Sequence, residues 1–260
     1  MSARAPARLN LTALGGIPLI QPGDDLAGII GDALRLSEIS LENGDILVVA
    51  QKVVSKAEGR IVDLAAIHPS SDALKYAQMV NKDPRLVEVV LRESEEVLRL
   101  ASNALITVHR LGFVMANAGV DQSNVDHAGT EDGTVLLLPE NPDGSAAALK
   151  CAIDAECNAD IGVVISDSFG RPWRKGVTGV AIGAAGLPAL LNLVGKPDLF
   201  GRALRISEHA AADDIAAAAA LLMGQGAEGL PVVHIRGLSY DAPDLPASAL
   251  IRPKRQDVFR

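Results

Sequence analysis

GDILVVAQKVVSKAEGR, residues 44–60, joins an aliphatic run directly to a run of cations. The continuous run Ile46–Ala50 predicts a β-strand that is buried on both faces, as strands are when helices cover a sheet. Lys52, Lys56 and Arg60 recur every four residues, so a helical segment would place three cations together. Ligands gather at the carboxyl ends of strands in open α/β sheets. The segment is therefore either part of an anion-binding site or a solvated basic face.

The sequence around this stretch alternates predicted strands and helices. Apolar residues at helical spacing follow Asp24 or Asp25, either of which can cap a helix. Asp83 opens a further helix, which we extend through Leu98 with Glu88 on its solvated face. The remaining predicted elements are strands at Val135–Leu138, Ile161–Ser166 and Pro231–Ile235, a helix that begins at Ser145, and a helix over 215–223 that Asp213 and Asp214 cap and whose Leu222 faces inward. This alternation predicts a mixed α/β fold.

Composition and charge argue against several classes of function. The 260 residues carry a formal net charge of −8, whereas nucleic-acid-binding proteins present a basic domain or stripe. The aromatic residues are 4 Phe, 2 Tyr and 1 Trp, too few for base-stacking platforms. The N-terminus lacks the apolar core of a signal peptide. The uncharged segment 177–195 is rich in glycine and contains Pro188, which is typical of a buried strand and loop. We therefore expect a cytoplasmic protein that binds neither nucleic acid nor membrane.

Familiar catalytic motifs are absent from the sequence. Gly195-Lys196 resembles the end of a phosphate-binding loop, but Leu190 stands in place of the first Gly and Pro197 in place of the Ser or Thr. The sequence has neither a GxSxG nucleophile elbow nor an HExxH metal motif. A standard nucleotide-binding loop, a serine hydrolase and a zinc protease are therefore disfavoured.

Three further segments hold polar residues at predicted turns. The segment 15–20, GGIPLI, is typical of a turn that enters an extended strand. The segment 117–124, NAGVDQSN, is either ordinary loop chemistry or a source of the oxygen ligands that hard cations prefer. The segment 165–176, ISDSFGRPWRKG, places Asp167 at the end of a buried strand, followed by a loop with a hydroxyl group and several cations. It is either a surface turn of ion pairs or an arrangement for Mg²⁺ and a phosphate.

Five segments of the chain, in order, resemble one known family, the coenzyme F420-0:L-glutamate ligases or F420:γ-glutamyl ligases. The segments are GIPLIQPGDDLA (16–27), GDILVVAQKVVSKAEGRIVDL (44–64), GFVMANAGVDQSNV (112–125), SDSFGRPWRKGVTGVAIGAAGL (166–187) and MGQGAEGLPVV (223–233). Five segments in one order are far more specific than any single motif. The resemblance extends over most of the chain.

This resemblance implies a reaction and its cofactors. A ligase of this family joins L-glutamate, one or more residues in γ linkage, to the carboxylate of the deazaflavin precursor coenzyme F420-0, and converts GTP to GDP and phosphate. A carboxylate is a poor acyl donor, so phosphoryl transfer from GTP would first produce an acyl phosphate. The resemblance further implies Mg²⁺ or Mn²⁺, two ions in the site, and K⁺. It also implies an intertwined homodimer of mixed α/β subunits with the site at the interface.

The family pattern also assigns roles to residues of this sequence. Asp121, Asp167 and Lys56 would carry the catalysis, and Asp121, Asp167, Ser168 and Gln225 would hold divalent metal. The nucleotide would be bound by Gly16, Ile17, Pro18, Leu19, Gln51, Lys52, Lys56, Asn124, Met223, Gly224, Gln225, Gly226, Ala227, Glu228, Gly229 and Leu230. Ser168 stands where many members have Thr and keeps the hydroxyl group. Gln51 and Lys52 stand where many members have Ser-Thr.

The same pattern predicts the domain organisation and leaves two alternatives for the function. Residues 1–245 would form the ligase domain, either undivided or in two subdomains, and residues 246–260 a C-terminal tail. Some relatives carry a fused flavin-reductase-like domain, so we expect this chain to be the stand-alone form or the ligase half. The alternatives are a metal-dependent nucleotide phosphohydrolase that does not need the deazaflavin, and a GTP-binding sensor that catalyses nothing.

Overall fold

The structure is a computed structural model that describes residues 7–123 and 133–258. Short 3-10 turns occur at Leu64–Ala66, Asn117–Gly119, Ala247–Leu250 and Lys254–Gln256. The helices and strands, in chain order, are β1 (Asn10–Ala13), α1 (Leu26–Leu36), β2 (Ile46–Ala50), α2 (Gln51–Ala57), β3 (Ile61–Asp63), α3 (Ser71–Val80), α4 (Pro84–Arg92), β4 (Ser94–Ala101), β5 (Ala104–His109), β6 (Val114–Ala116), β7 (Thr134–Leu136), α5 (Pro142–Cys157), β8 (Gly162–Arg171), β9 (Arg174–Ala185), β10 (Leu191–Asn192), β11 (Glu208–His209), α6 (Ala211–Met223) and β12 (Val232–Arg236).

A five-stranded mixed sheet forms the centre of the fold, in the order β1-β12-β2-β8-β9. The strands β2 and β8 run parallel, with Val48 paired to Val164, and the other neighbours are antiparallel. Leu47 and Val49 pack with α1 and α5 on one face, while Val48 packs with α6 on the other. The aliphatic run in residues 46–50 is therefore buried on both faces, as predicted, and the mixed α/β prediction is confirmed.

A second layer of structure lies beside the central sheet. The helices α3 and α4 pack against the three-stranded sheet β4-β5-β6 through a cluster that includes Ala77, Val87 and Leu105. The strand pair β3-β7 adds a further small cluster around Leu64 and Val135. This layer carries Asp121 at its edge, where the backbone of Asp121 pairs with that of Leu136 in an isolated bridge.

The helix α1 begins where the sequence predicts it, and α4 begins as predicted but ends early. Asp25 accepts the N–H of Gly28 at 3.2 Å, and Asp83 accepts the N–H of Arg85 at 2.8 Å. The helix α4 ends at Arg92, and the next residues form β4, which pairs with β5. The predicted extension of α4 through 98 is therefore wrong. The pairing of β4 with β5 contains two register shifts, at Ser94/Glu96 and at Val97/Arg99. These shifts break the strict alternation of inward and outward residues in β4, so its apolar spacing resembles that of a helix.

The predicted solvated position of Glu88 is also wrong. Glu88 is only 9% exposed, and it accepts the N–H of Ser70 at 3.0 Å and the Nε–H of Arg92 at 2.9 Å. It thereby fixes the turn that leads into α3. A buried carboxylate at helical spacing looks like a surface residue when only the pattern of charges is considered.

Two other helices begin earlier than predicted. The helix α5 starts at Pro142 rather than at Ser145, because the side chain of Asn141 accepts the N–H of Gly144 at 3.1 Å. The helix α6 starts at Ala211, so Asp213 and Asp214 lie in its first turn and are not its caps. The prediction that Leu222 faces inward is wrong, since Leu222 is 37% exposed.

The strand β8 is longer than predicted and forms a hairpin with β9. Its pairing with β9 extends from Val163 to Arg171, so residues 165–171 are strand and not the loop that the sequence suggests. The apolar residues of β9 and the following turn are mostly buried in the protein, for example Ile182 and Leu187 at 2% exposure each. The interpretation of 177–195 as a buried segment is thus confirmed. Within the described ranges, every helix falls short of the length and apolarity that a bilayer span requires.

Three basic side chains surround Glu93, which follows α4 directly. Its Oε2 lies 3.1 Å from Arg60 Nη2, 3.1 Å from Arg110 Nε and 3.5 Å from His109 Nε2. Burial alone would raise the pKa of Glu93, but the hydrogen bonds of His109 and Arg110 and the charge of Arg60 lower it to about 2. Arg60 also donates to the carbonyl of Leu138 at 3.0 Å. The cluster therefore ties the end of α2 to the second layer.

We expect Glu93→Gln to lower the free energy of unfolding by about 2 kcal/mol at neutral pH, because the partly buried Arg60 and Arg110 lose their charged partner. The folded-state pKa of about 2 lies below the ordinary value of 4.5, so the ionised carboxylate stabilises the fold fully above about pH 4.5. This contribution is lost as the pH falls toward 2. Urea titrations of both proteins across this range measure it, with the exposed Glu95→Gln as the control. An equal difference at every pH would contradict the electrostatic origin.

Candidate functional site

A cavity of about 670 Å³ lies at the carboxyl end of β2. Ala50 and Ser166 form the last residue pair between β2 and β8, but β8 continues to Arg171 without β2 beside it. The chain leaves β2 directly into α2, so the cavity opens where the parallel pair separates. Ligands are expected at such a position in an α/β sheet. The residues predicted for the site that line this cavity are Ile17, Pro18, Leu19, Gln51, Lys52, Lys56, Asp167, Ser168, Met223, Gly224, Gln225, Gly226, Ala227, Gly229 and Leu230.

Lys52 and Asp121 bring two distant segments together at one side of the cavity. Lys52 Nζ lies 2.7 Å from Asp121 Oδ2, and it also donates to Ser123 Oγ at 2.5 Å. The backbone N–H of Ser123 donates to Asp121 Oδ1 at 2.7 Å. Burial would raise the pKa of Asp121, but the hydrogen bonds from Lys52 and Ser123 outweigh it and lower the pKa. Asp121 is therefore held as an ionised carboxylate.

Asp167 lies close to this pair, on the part of β8 that extends past β2. Its pKa is raised to about 6, first by burial and also by the negative charge of Asp121, although the N–H of Ser168 and the charge of Lys52 lower it. The negative charge of Asp121 thus disfavours the ionised form of Asp167, as happens when two carboxylates share a site. These residues are far apart in the sequence but close enough in the structure to interact electrostatically.

The neighbouring side chain of β8 connects the strand to the loop that follows α6. Ser168 Oγ donates to Gln225 Oε1 at 2.9 Å, and Ser166 Oγ lies 3.9 Å from the sulfur of Met223. In the same loop the N–H of Gly226 donates to the carboxylate of Glu228 at 2.8 Å. Three of the predicted site residues that the structure describes do not line the cavity. Glu228 and Gly16 neighbour residues that do, and Asp121 is ion-paired with Lys52, which does. The predicted nucleotide contact Asn124 lies outside the described residues.

The two carboxylates, the hydroxyl group and the amide are oxygen ligands suited to a hard divalent cation. Among residues 7–123 and 133–258, no group of three or more His, Cys, Asp or Glu side chains could hold a metal by itself. A Mg²⁺ site of one or two carboxylates is completed by water and by phosphate oxygens of a substrate. Burial, and in addition the charge of Asp121, raises the pKa of Asp167, and a cation between the two carboxylates would offset both effects. The residues present therefore fit a divalent ion that binds together with an anionic substrate.

The predicted cluster of three cations is only partly correct. Lys52 and Lys56 line the cavity, whereas Arg60 lies at the Glu93 cluster described above. The reason is that α2 ends at Ala57 and Gly59 adopts a φ of +68°, which turns the chain away from the helix axis.

Gln51 is 2% exposed and accepts the hydroxyl of Ser55 at 2.8 Å, so its carbonyl oxygen is already engaged within α2.

Asp213 is a half-buried carboxylate near the site, and the sequence pattern predicts a different role for it. It accepts the N–H of Ala181 at 2.9 Å, at the point where β9 carries one extra residue relative to β8. Burial raises the pKa of Asp213. The bulge lies opposite Ile165 and Ser166, directly before Asp167. The only sign of this role of Asp213 in the sequence is the adjacent Asp213-Asp214 pair, which is equally typical of a helix start.

These features define an α/β protein whose cavity is suited to an anionic, oxygen-rich ligand. The family described as F420-0:Gamma-glutamyl ligase matches residues 16–237. Three similar proteins are each named coenzyme F420:L-glutamate ligase. The protein of Methanothermobacter thermautotrophicus is 44% identical over 254 residues, which cover 97% of this chain and 99% of that protein. That of Methanopyrus kandleri is 46% identical over 93% of both chains, and that of Methanocaldococcus jannaschii is 43% identical over 88% of this chain and 92% of that protein.

The chain therefore belongs to the F420-0:γ-glutamyl ligase family, as its sequence segments predict. It is an enzyme of the ligase class.

Proposed function

We propose that this chain is a GTP-dependent ligase that adds L-glutamate, once or repeatedly in γ linkage, to the carboxylate of coenzyme F420-0. The observation that carries the proposal is that Lys52 and Asp167 line one cavity at the end of β2, and that Asp121 is ion-paired with Lys52 beside it. The names of the relatives support the acceptor and the amino acid. The cations and carboxylates of the cavity support a nucleotide and a divalent ion as the activating partners.

The proposed chemistry proceeds in two balanced steps. A carboxylate oxygen of F420-0 attacks the γ-phosphorus of GTP, the bond to the β-phosphate oxygen breaks, and GDP leaves. The amine of glutamate then attacks the carbonyl carbon of the acyl phosphate, loses a proton, and displaces inorganic phosphate. Phosphoryl transfer depends on positioning and on neutralisation of charge more than on a covalent residue. A cavity with lysines, carboxylates and no evident nucleophile is consistent with that requirement.

Each residue of the site has a role in this proposal. Lys56 and Lys52 offset phosphate charge, and Lys52 also orients Asp121 through the 2.7 Å ion pair. Asp121, Asp167, Ser168 and Gln225 would hold Mg²⁺ or Mn²⁺, in two positions, and a bound divalent ion supplies charge compensation to the phosphates. K⁺ would assist as an additional charge. The loop from 223 to 230 would cover the nucleotide.

Incubation with GTP, Mg²⁺ or Mn²⁺, K⁺, L-glutamate and F420-0 tests the proposal. We expect a glutamylated deazaflavin by mass spectrometry and GDP in equal amount. Omission of either glutamate or F420-0 should abolish both products. Release of GDP that continues without an acceptor would instead identify a nucleotide phosphohydrolase. Tight GTP binding without any turnover would identify a sensor.

Lys56→Ala is expected to weaken GTP binding by about 1–3 kcal/mol, the free energy of a lost charge-assisted hydrogen bond. Lys56 lies in the last turn of α2 on the wall of the cavity, where its stem packs while its charge reaches the ligand. Calorimetry with a non-hydrolysable GTP analogue measures the change. Lys75→Ala, on the exposed surface of α3, serves as the matched control. GTP affinity equal to that of the control would refute the assigned role.

We also expect a homodimer at micromolar concentration. The uncharged segment 177–195 is largely buried within the chain and offers little apolar surface to a partner. Leu199, Phe200 and Ile206 are instead 86%, 88% and 93% exposed in the segment between β10 and β11. Contiguous exposed apolar residues of this size commonly mark an interface. Light scattering should report twice the chain mass of 27.0 kDa, and Phe200→Glu should shift it toward 27.0 kDa. A wild-type monomer would end the homodimer prediction.

A further inference from the structure

The tip of the β8–β9 hairpin carries an unusual residue for its backbone conformation. Arg171 pairs with Arg174, so Pro172 and Trp173 form a two-residue turn. Trp173 has a φ of +57°, a region that bulky residues rarely adopt and that a turn beginning with proline normally gives to glycine. Trp173 is nevertheless 85% exposed. A strained and exposed aromatic residue points to a function for the side chain rather than to packing.

A second, independent observation concerns the adjacent arginine. The Nε of Arg171 is buried and has no hydrogen-bond partner among the described residues. Buried polar groups without partners are rare in native proteins, and one such group requires an explanation. Arg174 and Lys175 follow on the exposed part of the same tip. The buried Nε itself lies beneath the surface, and the exposed tip combines the aromatic Trp173 with the cations Arg174 and Lys175, a combination that suits a planar, negatively charged ligand.

The position of the hairpin relates this tip to the proposed reaction centre. Its base, at Asp167, Ser168 and Gly179, lines the cavity, and its two strands continue outward from there. Arg171 lies four positions after Asp167 along β8, which at about 3.3 Å per residue corresponds to roughly 13 Å. A ligand whose reacting carboxylate lies near Asp167 could therefore place a ring joined to it by a flexible chain at the tip.

The shortage of aromatic residues narrows the choice of stacking partner. Phe113 and Phe169 pack edge to face in the core with ring centroids 5.8 Å apart, so neither offers a free face. Phe200 is exposed but belongs to the segment between β10 and β11, outside the hairpin. Of the aromatic residues in the described part of the chain, Trp173 alone is both exposed and on the hairpin that carries Asp167.

We propose that Trp173 binds the deazaflavin ring of F420-0 by stacking, and that Arg171 and its neighbouring cations bind the acidic chain of the same substrate. This inference rests on the proposed function, because it takes F420-0 as the acceptor. The ring lies at the hairpin tip while the carboxylate reaches the cavity. The strained φ of Trp173 holds the indole outward, where glycine would provide no surface.

The substitution that tests this proposal is Trp173→Gly, because glycine adopts a φ of +57° without strain. The variant should unfold at the same or a higher temperature than the wild type. Its KM for F420-0 should rise at least tenfold, while its KM for GTP and its kcat stay close to those of the wild type. Trp173→Phe, which keeps an aromatic face, should retain a KM for F420-0 within about threefold. Met79→Ala, a change at an exposed apolar residue of α3, is the control and should alter none of these values.

A direct readout is available because Trp173 is the only tryptophan of the chain. Saturating F420-0 should quench the tryptophan emission of the wild type, with a midpoint equal to the Kd from calorimetry. Unquenched emission, or a normal KM for F420-0 in Trp173→Gly, would overturn the proposal. A change from dimer to monomer in Trp173→Gly would also overturn it and assign the tip to subunit contact. Failure of the proposed function is distinct, since the wild type would then form no glutamylated product.

Discussion

Asp167→Asn is expected to reduce ligase turnover by a factor of about 10²–10³, the usual effect of removing one group that stabilises charge in a transition state. The amide keeps the shape of the side chain but removes the charge that, in our proposal, holds the divalent ion beside the phosphates. Turnover is measured with saturating Mg²⁺ or Mn²⁺, so that a weakened ion affinity alone cannot explain the loss. Asp244→Asn, at an exposed carboxylate far along the chain, is the control.

The same substitution should have the opposite effect on stability in the presence of a chelator. The folded-state pKa of Asp167, about 6, lies above its ordinary value of 3.8, so the ionised form is disfavoured in the folded protein. This penalty is absent below about pH 3.8, develops as the pH rises through 6, and is complete above it. In the presence of a chelator, Asp167→Asn should therefore have a higher melting temperature than the wild type at pH 7.5. The difference in melting temperature should vanish near pH 4. Near-normal turnover, or a destabilised variant at pH 7.5, would refute the assignment of Asp167 to metal.

Gly179→Ala is expected to lower the free energy of unfolding by about 3 kcal/mol, the upper range for overpacking a tight contact. A Cβ at this position would lie 2.3 Å from the carbonyl oxygen of Ala216 and 2.7 Å from its carbonyl carbon. Both atoms belong to the backbone of α6, so the helix itself must move. Gly179 also pairs with Ser168, and α6 leads directly into the loop that carries Gln225. The shift should therefore raise the KM for GTP as well.

Gly170→Ala provides a matched control for this prediction. Gly170 lies on the same hairpin, has no positive φ, and its added Cβ would meet no atom within 4 Å. Its melting temperature and kinetics should stay close to those of the wild type. If Gly179→Ala behaved like Gly170→Ala in thermal melts, the contact between α6 and β9 would not be as tight as the structure indicates.

The sequence predicts the core of this fold well because the local patterns there, aliphatic runs and helix caps, agree with the tertiary contacts that the same residues make. The aliphatic runs of β2 and β8 can only be buried, and the caps of Asp25 and Asp83 are made to backbone N–H groups no more than three residues away. The errors occur where a tertiary contact overrides a local pattern. The helix α4 could not be separated from β4 by periodicity, because the boundary depends on Glu93, whose partners Arg60 and Arg110 are distant in sequence.

The site was predicted for a different reason, which is the resemblance of ordered segments to a family. Spacing alone would not have joined Asp121 to Lys52, since they come from separate layers of the fold. Arg60 shows that spacing can also group residues wrongly. The four-residue period of Lys52, Lys56 and Arg60 places side chains on one face only within a helix, and α2 ends before Arg60. The sequence pattern predicts Asp213 as a helix cap. Its actual role, accepting the N–H of Ala181 at the bulge in β9, depends on a tertiary contact that no local pattern reveals.

The order of strands in the central sheet has a consequence for how the chain acquires its structure during synthesis. The strand β12, residues 232–236, lies between β1, residues 10–13, and β2, residues 46–50. Pairings so distant in sequence close slowly, since the loop entropy is lost before the contacts form. On the ribosome, one edge of β2 and the whole of β1 must wait until nearly the entire chain has emerged. The nascent protein therefore carries an open aliphatic edge for most of its translation, which is the kind of surface that chaperones bind.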